Sequence, residues 1–167
     1  MTRDKLRALP PADRARIREN AAVWRDNGTA AQKQLAADRL SELDAIELED
    51  VGADTEALKV YHAFVAQPPS PADVVAIRAL LDHPASTAEE LSLASGWAGN
   101  KWHEQFGRMC RKREASLWAA ADAPARGARA FSGILAELDS DGNRFTMKPC
   151  AIAGFRALGI AAALPAG

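Results

Sequence analysis

"SGWAGNKWHEQFGRMCRKR", residues 95–113, joins a glycine-broken turn to a run of helical spacing that ends strongly basic. Advancing from Trp102 by about 100° per residue, Phe106 falls at about 40°, Met109 at about −20° and Cys110 at about 80°, so these four make one apolar side. The opposite arc, from about 180° to 300°, holds Arg111, Glu104, Arg108, Lys101, Lys112 and Gln105, all of them polar. The segment is predicted to be a two-faced helix anchored by Trp102 and Phe106. Arg113 falls at about 20°, on the apolar side, so either the helix ends there or its charged head snorkels outward. Glu104 and Arg108 have the spacing of an ordinary i, i+4 ion pair. Taken alone, such an arc is the solvated face of a helix. Its neighbours in the chain give it more meaning.

The 167 residues suit one domain, or one small domain with an appendage, and 48% hydrophobic content is enough for a core. The net charge of −1 excludes a uniformly basic polyanion binder, but the charge is unevenly spread. Residues 42–56 hold seven acids (Glu42, Asp44, Glu47, Glu49, Asp50, Asp54, Glu56) and no base. Residues 101–129 hold seven bases, among them Arg126 and Arg129, against three acids. Two cysteines, Cys110 and Cys150, are a weak basis for a disulfide framework and are expected to be reduced in a cytoplasmic protein. The start "MTRDKLRALPP" is no signal peptide, and the apolar tail "AIAGFRALGIAAALPAG" is too short and too broken for a membrane span. The Ala- and Arg-rich composition points to a GC-rich bacterial source.

Working outward from 95–113, Ser70, Pro71 and Asp73 start a helix that runs to Pro84, and Ser86 or Thr87 caps another, "AEELSLAS", that stops at Gly96. Downstream, an Ala/Pro/Arg/Gly-rich loop is predicted at about 119–130. "FSGILAELDSDGNRFTMKP" reads as a hairpin: Ile134, Ala136 and Leu138 alternate on one arm and Phe145 and Met147 on the other, with the turn at Asp141-Gly142. Pro149 starts a last helix. Upstream, helices are predicted at 11–26, with Ile17, Ala21 and Trp24 on one stripe, and from Thr29, which forms a capping box with Gln32. The second carries Leu35, Ala36, Leu40, Leu43 and Ile46 for burial, and the two are expected to pair antiparallel. A short helix follows at 55–66, and "QPPSP" at 67–71 breaks the chain. The boundary therefore separates an N-terminal helical region, 1–66, from a second domain, 71–167. The predicted class is mainly α with one β-hairpin.

The order helix (72–83), helix (87–95), turn, helix (100–113), hairpin (131–148) resembles the winged helix-turn-helix family over roughly residues 71–160. The resemblance implies an N-terminal helical hairpin followed by a winged helix-turn-helix domain that binds double-stranded DNA, its second motif helix in the major groove and its wing tip near the backbone. Carried over by position, Asn100, Lys101, Glu104, Gln105, Arg108 and Arg111 would face DNA, and Lys112, Arg126, Arg129, Arg144 and Lys148 would approach phosphates. The long loop before the hairpin and the turn bearing Trp97 and Gly99 depart from the usual pattern. Arg108 and Gln105 have the chemistry to read guanine and adenine. Five phosphate contacts would give log affinity a slope against log salt of roughly −4 to −5. One such site is marginal, so a homodimer made through the N-terminal helices is expected.

Other constellations carry less. Asp139, Asp141 and Asn143 mimic the start of a calcium loop, but Arg144 and Cys150 stand where glycine and glutamate are needed, so a turn is predicted. His103 and Cys110 share a helix without two further nearby metal ligands, and Cys110 is expected in the core. The run 42–56 is read as a solvated helix end and linker. No phosphate-cradling glycine loop or catalytic set is visible, so neither an enzyme nor a cofactor is expected. The expected function is that of a bacterial transcriptional regulator, or the DNA-reading part of a mobile-element or defence system. The rival expectation is a protein-interaction module on the same scaffold, such as a phage-encoded inhibitor or adaptor, docking a basic partner through 42–56 or the N-terminal helices.

Overall fold

The structure is a computed structural model. It describes residues 1–163 except 121, 124–127, 140 and 142; of 122, 123, 128 and 129 it describes the backbone only. Helices α1 (Arg3–Arg7), α2 (Pro11–Asn27), α3 (Ala30–Asp50), α4 (Thr55–Ala66) and α5 (Pro71–Asp82) lead to strand β1 (Ser86–Thr87). Then come α6 (Ala88–Ala94), α7 (Lys101–Lys112), β2 (Asp122–Ala123), β3 (Ala128–Arg129), β4 (Ala136–Asp139), β5 (Arg144–Met147) and α8 (Pro149–Ala157). The chain is therefore mainly helical with a small antiparallel sheet of order β1-β5-β4. None of the described helices is long and apolar enough to cross a membrane.

Local chemistry sets most helix starts. Thr29 with Gln32, Ser70 with Asp73, and Thr87 with Glu90 each form a reciprocal capping box, which satisfies two otherwise orphaned backbone donors at α3, α5 and α6. Asp54 accepts from the Glu56 and Ala57 amides to start α4. Two elements are additional to those predicted. The short α1 buries Leu6 against Leu43 and Ile46, and β1 pairs Ser86 with Phe145 and Thr87 with Arg144, turning the hairpin into three strands. In the hairpin, Leu138 lies opposite Phe145 and Ala136 opposite Met147. The arm predicted from Ile134 starts as a 3-10 turn over Phe131–Ile134, so the strand itself begins at Ala136. Asp141 lies in the turn, and Gly142 is outside the described residues. Within the predicted 119–130 loop, β2 and β3 pair with each other.

The main core runs from α4 to α8 and is built on Val60, Phe64, Ile77, Leu80, Trp102, Phe106 and Phe155. Residues 55–66 precede the 67–71 break in the chain but share this core with the elements that follow it. Phe64 meets Phe155 edge-on, with ring centroids 4.9 Å apart, and Gly154 lets α4 and α8 approach closely. A methyl group at Gly154 would lie 2.8 Å from Val60 Cβ and 2.9 Å from the Ala57 carbonyl oxygen. On the N-terminal pair, Ala21, Ala36, Leu43 and Ile46 are buried as the stripes predict. Trp24 and Leu35 are 44% and 51% exposed, so those two positions do not enter a core. A Gly154→Ala substitution is expected to lower stability by about 1–3 kcal/mol, with a lower melting temperature in thermal denaturation.

Candidate nucleic-acid interface

The seat of α7 is built from its apolar stripe and from two polar devices. Trp102, Phe106, Met109 and Cys110 are all buried. Trp102 stacks on Phe106 at 4.8 Å between ring centroids and lies 5.1 Å from the Phe145 ring, which ties the helix to β5. Its indole N–H donates to the Ala76 carbonyl at 3.0 Å, and its backbone N–H donates to Ser92 Oγ at 3.0 Å. Between α6 and α7 the chain turns through Gly96 at φ +73°, a left-handed conformation that glycine adopts without a Cβ penalty. The Trp97 amide then reaches the Ser92 carbonyl at 2.8 Å and the Gly96 amide the Leu93 carbonyl at 3.0 Å, the paired bonds of a Schellman motif. Ser92 thus closes α6 with its carbonyl and holds the first turn of α7 with its hydroxyl.

The second device is a buried charged clamp. Asp73 accepts from the Ser70 amide at 3.0 Å through one carboxylate oxygen and from Gln105 Nε2 at 2.8 Å through the other. Arg113, the residue that the wheel places on the apolar side, does end the helix as its C-cap. Its head does not snorkel outward; it is 2% exposed. The guanidinium donates to the Gln67 carbonyl at 2.6 and 3.1 Å, to Pro68 at 3.2 Å and to Met109 at 2.9 Å. It lies 3.8 Å from Asp73 and 4.1 Å from the centroid of the Phe64 ring. Burial pulls the Arg113 pKa below the ordinary arginine value, against the opposing pull of Asp73. Sequence periodicity flagged Arg113 as anomalous but could not supply its acceptors, which come from the break at 67–68.

Lys101, Glu104, Arg108, Arg111 and Lys112 are exposed together on one side of α7. Asn100 is its N-cap, exposed and without a side-chain capping bond. Lys101 Nζ lies 5.9 Å from the centroid of the Trp97 ring, and the Arg111 guanidinium lies 5.4 Å from that of Phe131. The Glu104–Arg108 pair expected from spacing does not form, and among the described residues neither group has an ion-pair partner. Gln105 is half-buried and turned back onto Asp73, so it works as a register lock between α5 and α7. Arg144 binds the Ala85 carbonyl at 2.9 Å and Glu90 at 3.1 Å. Lys148 lies at the base of the hairpin, away from its tip, half-buried 5.8 Å from the Trp118 ring centroid. Arg126 lies outside the described residues; Arg129 is in β3 and its side chain is outside them. The expected phosphate-facing residues are thus divided among α7, the side of the hairpin and its base.

The acidic run 42–56 is solvent-facing as read, except for the buried Glu47, but most of its acids are ion-paired within the chain. Arg3 and Arg7 both bind Glu49, Arg14 binds Asp50 at 2.7 Å, and Arg18 binds Asp44 at 2.8 Å and Glu47 at 2.6 Å. Arg39 takes Glu42, and Asp54 caps α4. Glu47 is buried, which opposes its charge, but hydrogen bonds from His62 and Arg18 together with their charge outweigh burial and hold its carboxyl below the ordinary value. Neighbouring Tyr61 is pushed up to about 12 by burial. Both cysteines are free and buried, and burial raises both thiols above their ordinary pKa.

No protein-family profile, curated protein or solved structure matches the chain. The clamp yields a contrast between two arginines. Arg113→Ala removes the cation beside the buried Asp73 carboxylate and the donor to the Gln67, Pro68 and Met109 carbonyls, and should cost about 2–4 kcal/mol in chemical denaturation. Arg108→Ala, on the open arc, should change stability by less than about 0.5 kcal/mol.

Proposed function

We propose that this chain is a double-stranded DNA-binding protein of winged-helix type, with α7 entering the major groove. One observation carries the reading. Lys101, Arg108, Arg111 and Lys112 crowd one exposed side of a single helix, and among the described residues no carboxylate pairs with any of them. Elsewhere, Arg3, Arg7, Arg14, Arg18, Arg25, Arg39 and Arg144 have acidic partners, while the exposed Arg78 and Arg156 stand singly on other helices with none among the described residues. Four unpaired cations gathered on one side of one helix are the electrostatic footprint of a polyanion site. The frame supports it: α6 and the Gly96 turn set the entry of α7, and β5 backs it through Phe145.

The hairpin contributes less than the resemblance implies. Glu137, Asp139 and Asp141 are exposed on and beside its tip, and Arg144 is already held by Glu90. Phosphate approach at that tip would meet like charge, so the contact falls on α7. Four cations make a modest binder, which suits a dimer on two half-sites, and the N-terminal helices, with Val23, Trp24 and Leu35 exposed, would supply its contact. The role is that of a bacterial cytoplasmic transcriptional regulator, or of the DNA-reading part of a mobile-element or defence system. The interaction-module alternative drew on the acidic run, and five of those acids are engaged within the chain.

A gel-shift titration against salt tests the reading. Four phosphate contacts per α7 predict a slope of log affinity on log salt of about −3 to −4 per protomer, and Arg108→Ala should flatten it by about one. Absent binding, or binding indifferent to salt, would contradict it.

A further inference from the structure

Glu104 is out of place on a helix face that meets phosphate. It is exposed one turn from Lys101 and one turn from Arg108, and its carboxylate has no partner among the described residues. An unneutralised carboxylate facing a polyanion weakens every non-specific contact, so on a DNA-facing arc it fits only where a base offers it a donor. Asn100 has the complementary freedom: it is exposed, and its amide makes no capping bond. Gln105, with the chemistry of an adenine reader, has its amide nitrogen bound to Asp73 at 2.8 Å. Arg108, Arg111 and Lys112 lie toward the C-terminal half of α7, whereas in helix-turn-helix docking the N-terminal residues of the reading helix reach the base edges.

Resting on the DNA reading above, we infer that Asn100 and Glu104 are the specificity-determining residues, Glu104 selecting cytosine and Asn100 adenine. A carboxylate only accepts hydrogen bonds. In the major groove guanine presents two acceptors, thymine an acceptor beside a methyl group, and adenine a donor next to an acceptor that would repel the second carboxylate oxygen. Cytosine presents a lone amino donor. Asn100 carries one amide donor and one acceptor side, which matches the adenine edge in bidentate fashion. Four residues separate the two, about 6 Å along the helix axis. With base steps of about 3.4 Å, the cytosine and adenine fall within about two steps of each other.

The test is selection of bound duplexes from a randomised pool by the full-length wild-type chain and by Glu104→Gln and Asn100→Ala. The wild type should enrich a short motif containing cytosine and adenine within about two steps. Glu104→Gln should lose the cytosine preference by about tenfold and bind arbitrary duplex more tightly, because the repulsion is gone. Asn100→Ala should lose the adenine preference alone. A wild-type chain that binds duplex with the expected salt dependence, but whose motif is unchanged in Glu104→Gln or carries guanine at that position, overturns the inference and leaves the DNA reading intact. A wild-type chain that binds no duplex overturns both.

Discussion

The buried carboxylate of Asp73 is the constraint on which the rest depends. It closes the capping box of α5, holds Gln105 on the flank of α7, and lies beside Arg113, whose guanidinium collects the carbonyls of Gln67 and Pro68. A buried charge is costly unless its partners are well placed, so the four groups have little freedom to shift independently. The consequence is rotational. With Gln105 and Arg113 fixed on α5 and the 67–70 segment, and with Trp102 donating to Ala76, α7 cannot roll about its axis. The arc that carries Lys101, Glu104, Arg108 and Arg111 is the side left to solvent.

Charge is managed differently in the two parts of the chain. In the N-terminal helices, arginines of α1 and α2 neutralise the acids of α3, and the small apolar cluster of Leu6, Leu43 and Ile46 lies between them. His62 on α4 joins the same network through Glu47 at 2.8 Å, which links this region to the main core. Among the described residues, no such matching occurs for Lys101, Arg108, Arg111 and Lys112 on α7. The net charge of −1 is therefore a poor guide to what the surface offers, because much of the acid is consumed internally.

Much of the fold was legible in the sequence wherever the deciding interaction is local. The three capping boxes each span three residues, and the Trp102–Phe106–Met109 stripe repeats within one helix, so α3, α5, α6 and α7 could be read directly. What escaped depends on distant partners. The strand β1 is two residues long and exists because β5 lies beside it. The helix α1 has only five residues, too few for a periodicity, and it is held by one buried leucine and by the pairs of Arg3 and Arg7 with the distant Glu49. The pairing of Glu47, Glu49 and Asp50 escaped because their arginine partners lie 29 to 46 residues away. At the site, the cationic arc was readable from the wheel. The commitment of Gln105 to Asp73 and the burial of Arg113 were not, since their partners lie 32 and 46 residues distant. The stripe on α2 indicated which side Trp24 occupies, but not that this part of the side stays uncovered.

Amide hydrogen exchange of the full-length chain, with and without a saturating duplex at low salt, tests the central claim most directly. The predicted result is slowed exchange concentrated in residues 97–112, with 136–147 and the N-terminal helices away from any dimer contact unchanged. Slowing confined to the hairpin or to the α2–α3 pair, with α7 exchanging as before, would contradict it.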